Sequence, residues 1–233
     1  MHARKMKAYV GQTRGGKAFR RCVDAGLGEM TQPDEFPPRR YPWVLDNGAF
    51  KLWKSGKEFN SQRFLNAAQL AADHEVKPDF VVAPDVVADS AKSLPLSLQW
   101  APILRGMGHK VALVVQDGMT REDVECNRNT FDVLFVGGTI DWKIRMVPYW
   151  ANIGKELGMH VHVGRMGSRQ RITYAKQCGV DSIDSCTPLF SEQNMKRFTE
   201  SLDEPAQLTL MEPIPVKVKH QAMLVMGKKS RAT

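Results

Sequence analysis

Cysteine is scarce in this sequence, with four in 233 residues, and none stands in a C-x-x-C pair. That spacing excludes a zinc knuckle and a disulfide framework, so Cys22, Cys126, Cys178 and Cys186 read as reduced and mostly core thiols. No apolar run is long enough to span a bilayer. The opening Met1-His2-Ala3-Arg4-Lys5 leads into no signal-peptide core. We therefore expect a soluble, cytoplasmic protein with no membrane partner. Internal repeats, Ser/Gly linkers and low-complexity blocks are also missing. Acidic residues are outnumbered, 25 against 33 Lys and Arg, and the net charge of +8 favours a polyanionic partner. Hydrophobic residues make up 42%, enough for a sizeable core and too many for a disordered chain.

Short apolar runs alternate with segments of helical period. Strands are expected at Lys7–Val10, Trp43–Leu45, Phe80–Ala83, Val111–Val115, Val133–Val136, His160–Val163 and Ser182–Ile183, with an eighth at Leu208–Met211. Helices are expected near 16–25, 61–74, 88–105, 120–128, 144–157, 168–178 and 191–202. This alternation implies parallel βαβ units, and the length suits a single (β/α)8 barrel of the TIM type over residues 1–212. A doubly wound open sheet is the alternative. Gln32–Pro42 is too proline-rich for a helix or central strand and reads as a long loop. Residues 213–233 form a basic tail with Lys217, Lys219, Lys228, Lys229 and Arg231, either a solvated end or an arm for a polyanion.

Chemistry gathers where the strands end. Trp43-Val44-Leu45 runs into Asp46-Asn47-Gly48, Phe80–Ala83 into Pro84-Asp85, and Val111–Val115 into Gln116-Asp117-Gly118. Val133–Val136 runs into Gly137-Gly138-Thr139, His160–Val163 into Gly164-Arg165, and Ser182-Ile183 into Asp184-Ser185. In parallel α/β folds these C-terminal strand ends make the active-site face. One aspartate after a strand is as readily a turn or helix cap. Asp46, Asp85 and Asp184 together look like one site.

In His160-Val161-His162-Val163 the valines share one face and the histidines the other. The face toward the outer helices must be apolar, so the histidines should point into the barrel. An H-x-H pair can also hold a metal, as in metal-dependent amidohydrolases, but no other His or Cys stands at a strand end to complete such a site. No metal or cofactor is expected. Gly11-Gln12-Thr13-Arg14-Gly15-Gly16-Lys17-Ala18 nearly matches the phosphate loop G-x-x-x-x-G-K-[ST]. Ala18 replaces the hydroxyl residue that would hold magnesium, which leaves Arg14 and Lys17 as candidate contacts to a nucleic-acid phosphate.

Five segments in order, Leu45–Phe50, Ala83-Pro84-Asp85, Val115–Gly118, Val136–Thr139 and Gly179–Asp184, resemble the tRNA-guanine transglycosylase superfamily. The resemblance is closest to its DpdA-type branch, which places deazapurines in DNA. It covers roughly residues 40 to 202. It implies that Asp184 is the nucleophile attacking the sugar C1′ and that Asp46 is the general acid/base. It further implies that Asp85, Gln116 and Asp117 meet the base edge, that Gly137 and Gly138 line the base pocket, and that Arg165 is a phosphate ligand. The Cys/His zinc site of the tRNA enzymes is absent, since only Cys186 follows the nucleophile position. That departure turns the expected partner from tRNA to DNA, with a flipped base and a free 7-deazaguanine-type base as reactants. Two fates of the sugar intermediate stay open. Exchange with a second base would make a transglycosylase, and capture by water would make a DNA glycosylase excising a modified base. A non-enzymatic nucleic-acid-binding barrel is disfavoured, because grouped carboxylates would repel phosphate.

Overall fold

The computed structural model describes residues 6–13 and 15–205. Eight parallel strands close a barrel in chain order: β1 Lys7–Gly11, β2 Gly28–Thr31, β3 Trp43–Leu45, β4 Val81–Val82, β5 Val111–Val115, β6 Val133–Val136, β7 His160–Val163 and β8 Ser182–Asp184. Closure runs from β8 to β1, with Lys7 opposite Ser182 and Tyr9 opposite Asp184. Eight helices surround it: α1 Gly16–Asp24, α2 Ala49–Ser55, α3 Ser61–Asp73, α4 Ser90–Gly106, α5 Arg121–Glu125, α6 Ile140–Glu156, α7 Arg169–Gln177 and α8 Glu192–Asp203. The open-sheet alternative is thereby excluded. No helix among the described residues is long and apolar enough to cross a membrane.

The period-2 pattern of the strands builds two cores. On β5, Val111, Leu113 and Val115 face the helices, whereas Ala112 and Val114 face the barrel axis. On β7, Val161 and Val163 join the outer layer, and His162 points inward against Tyr9, Phe80 and Phe135. The strand parity expected for the H-x-H pair is observed. Tyr9, Phe80 and Phe135 fill the interior, with Phe135 reaching the floor of a cavity that opens at the C-terminal ends of the strands.

Two elements depart from expectation. The eighth strand is β2, Gly28–Thr31, and the segment expected to supply it, Leu208–Met211, lies outside the described residues. Gly-Glu-Met-Thr carries little strand propensity by itself. It is held by its neighbours: a Cβ at Gly28 would stand 2.6 Å from the Tyr9 ring and 2.8 Å from the Pro42 carbonyl oxygen. Glu29, fully buried, meets the Arg40 guanidinium at 3.3 Å and accepts from Thr31 Oγ1 at 3.0 Å. The other surprise is α2, seven residues bounded by left-handed Gly48 and Gly56, too short for its period to be read. The Gln32–Pro42 segment is a loop, as expected. It joins β2 directly to β3 and is tied to the barrel by Gln12 Nε2, which donates to the carbonyls of Glu35 and Pro37 at 2.6 and 2.9 Å. The basic tail, with Lys217 and Lys219, lies outside the described residues, as does Arg14.

Candidate active site

The mouth of the barrel encloses a cavity of about 690 Å³. Asp46, Asp85, Gln116, Gly137, Gly138, Arg165 and Asp184 all line it, contributed by the ends of six strands, β3 to β8. The helix-cap alternative fails for the three aspartates. Helix N-termini are capped instead by Asn60, Asp89, Thr120, Ser168 and Ser191, each accepting from a backbone N–H three residues on.

Asp184 closes β8 and receives two donors. His162 Nε2 lies 3.1 Å from its Oδ2, and the Arg165 backbone N–H donates to its Oδ1 at 3.2 Å. Arg165 has φ +63, an uncommon conformation for a residue with a side chain, and the turn it makes aims this N–H at the carboxylate. His162 is fully buried, and its other nitrogen, Nδ1, is 2.9 Å from Ser182 Oγ, which in turn lies 2.6 Å from His160 Nε2. Asp184 accepts from a proton on His162 Nε2, and Ser182 Oγ links Nδ1 of the same ring to His160, donating to one ring and accepting from the other. Both oxygens of Asp184 accept N–H groups, which fixes the orientation of the carboxyl at the cavity.

Asp46 follows β3 and is held differently. Its carboxyl accepts from the backbone N–H groups of Gly48 and Asn47, yet burial pushes its pKa up to about 7, reinforced by repulsion from Asp184 and Asp85. Asp85, after β4, accepts from Asn47 Nδ2 at 2.6 Å and from Gln116 Nε2 at 2.5 Å. Burial still raises it to about 6, because two neutral amide donors only partly replace water. Asn47 also donates to the Ala83 carbonyl at 2.7 Å and accepts from the Ala49 N–H at 2.7 Å, so it bridges two strand ends. Gln116 Oε1 accepts the Ala88 N–H at 2.8 Å, which orients the amide and leaves one Nε2 hydrogen for a ligand.

The glycines open the pocket. A Cβ at Gly137 would lie 2.5 Å from Val114 Cγ1, and one at Gly138 would lie 2.5 Å from Asp117 Oδ2 and 2.6 Å from the Trp142 ring. Gly138, at φ +74, presents its carbonyl to the Arg165 guanidinium.

Asp117, expected at the base edge, is not among the residues lining the cavity; it accepts from Thr139 N–H and Oγ1 at 2.7 and 2.6 Å and so braces the glycine turn before α6. Lys17 is exposed on α1 and does not line the cavity, although Gly11 and Gln12 of the same segment do.

Two features went unread in the sequence. Lys143 is fully buried on α6, lines the cavity, and donates to the Gly164 carbonyl at 2.5 Å. Burial, with the nearby Arg165 charge, drops its pKa to about 7. Its signal was a lysine four residues before Val147 on an otherwise apolar helix stripe. Gln32 and Glu35 of the long loop form the opposite wall, and Gln32 Oε1 is buried without a protein partner. Among the described residues no group of three His, Cys, Asp or Glu is placed to hold a metal ion. Comparison with protein-family models and with curated proteins finds no match.

Proposed function

We propose that this barrel cleaves the N-glycosidic bond of a nucleobase in DNA through Asp184 and exchanges the base for a 7-deazaguanine-type base. The observation that carries the reading is a pair of carboxyls facing one cavity, one of them with a strongly raised pKa. Asp184 receives N–H donors on both oxygens, whereas Asp46 is pushed to about 7 by burial and by its acidic neighbours. Two carboxyls facing one cavity, one of them held near neutrality so that it can carry a proton, are what a nucleophile and a general acid require.

In the first step an Asp184 oxygen attacks C1′ and the C1′–N bond breaks. The bonding pair passes to the base nitrogen, which takes the proton of Asp46, leaving a glycosyl ester and an Asp46 carboxylate. In the second step the incoming base loses its ring N–H proton to Asp46 while its nitrogen attacks C1′, and Asp184 leaves as carboxylate. Asp85 accepts from base N–H groups, held by Asn47 and Gln116, and Gly137 and Gly138 let the base plane approach the backbone. A base still in the duplex stack cannot reach this floor, so the target must be flipped.

The test supplies labelled free base and modified and unmodified DNA. Incorporation of label without alkali-labile sites is expected. Base release without any acceptor, leaving abasic sites in stoichiometric yield, would convert the reading to a glycosylase. Neither product across a broad panel would remove the glycosidic reading.

A further inference from the structure

The floor of the cavity is acidic, but its rim is not. Phe50, Trp53 and Phe190 are 39%, 57% and 76% exposed. Phe50 and Trp53 lie on α2 after β3, with ring centroids 5.9 Å apart, and Phe190 follows β8, three strand positions around the barrel. Phe50 and Phe190 line the mouth together with Lys54, Arg165 and Arg171. The Arg165 guanidinium sits over the Phe50 ring at 4.3 Å. Lys54 and Arg171 form no ion pair among the described residues, so both charges at the mouth are open to a ligand. Exposed aromatic residues gathered at the rim of a cavity, beside polar and charged groups, mark an interaction surface. Exposed rings beside unpaired cations on one rim offer what an unpaired strand presents, base faces to stack and phosphates to hold.

We propose that this rim grips the nucleotides flanking the target, stacking unpaired bases on Phe190 and on the Phe50–Trp53 pair while Lys54 and Arg171 hold phosphates. The substrate therefore enters as single-stranded or locally melted DNA rather than as an intact duplex, a free nucleoside or a nucleotide. This rests on reading the floor as a glycosidic site, and it specifies what lies on either side of the reacting residue. Paired bases would offer these rings only their edges, and a monomeric nucleoside would leave them bare.

The test is fluorescence anisotropy with a labelled oligodeoxynucleotide, free, annealed to its complement, and as RNA of the same sequence. Single-stranded DNA should bind more tightly than either. Phe190→Ala and Trp53→Ala should each weaken it roughly tenfold, with an unchanged salt slope. Lys54→Ala with Arg171→Ala should instead flatten that slope by about 0.7 per cation. Circular dichroism confirms that these surface variants fold. Duplex binding as tight as the single strand and indifferent to both alanines would overturn the proposal. Tighter RNA binding would overturn the deoxyribose assignment. A concentration-dependent dimer lost in Phe190→Ala, with nucleic-acid binding intact, would assign the rim to a second copy and also overturn it. Asp184→Asn separates rim from floor: it should lose turnover while keeping strand affinity, and turnover surviving in that variant removes the floor reading without touching the rim.

Discussion

Replacing Asp46 by asparagine should make the protein more stable while removing its activity, and the gain should depend on pH. The folded pKa is about 7, against about 3.9 for an unfolded aspartate. The folded chain therefore binds this proton more tightly than the unfolded chain does. Stability falls as pH rises from about 4 to about 7, then levels off. A shift of about three units at ~1.4 kcal/mol each sets a ceiling of about 4 kcal/mol. Asparagine carries no charge to desolvate or to repel Asp184 and Asp85, and its carbonyl can still accept from the Gly48 or Asn47 N–H. Its amide group needs a partner of its own, which reduces the expected gain to about 1–3 kcal/mol. Urea unfolding of both proteins at about pH 8 and about pH 5 checks this, with equal m-values as the control for two-state behaviour. The variant should be the more stable at the higher pH, and the difference should shrink at the lower. A variant no more stable than the parent at about pH 8, or a gain that ignores pH, would refute the claim that Asp46 is held in a setting hostile to its charge.

Turnover of the parent should fall above about pH 7, approaching tenfold per pH unit, because only protonated Asp46 can protonate the departing base; a flat profile up to about pH 9 would assign that proton to another group. Asp184→Asn should abolish turnover with an unfolding midpoint near the parent's, since a cavity-facing carboxyl adds little to the core; single-turnover assays and a melting curve report both. Gly138→Ala should cost about 1–3 kcal/mol and lower activity, because φ +74 and the 2.5–2.6 Å approaches to Asp117 and Trp142 leave no space for a methyl group; denaturant titration measures it.

Much of this architecture is local in origin and therefore legible along the chain. Strands such as Val111–Val115 announce themselves by apolar runs. The H-x-H parity of β7 places His162 inside by alternation alone, since every second side chain must share a face. The same logic located Asp46, Asp85 and Asp184 after strands, and in a parallel barrel all strand ends share one mouth. What alternation cannot reveal is the partner that each polar group meets. Asp117 follows a strand as Asp85 does, yet it pairs with Thr139, 22 residues on, and does not line the cavity. β2 carries no strand signal of its own, and its place is fixed only when Tyr9, Pro42 and Arg40 close around Gly28 and Glu29. Lys143 looks like an ordinary helix lysine until β7 brings the Gly164 carbonyl to it and seals it from water. The pKa of Asp46 likewise comes from burial and from two carboxyls 39 and 138 residues further along the chain. Periodicity is a property of neighbouring residues and is written in the sequence; burial, charge coupling and hydrogen-bond pairing are properties of neighbouring volumes, which exist only once the barrel has closed.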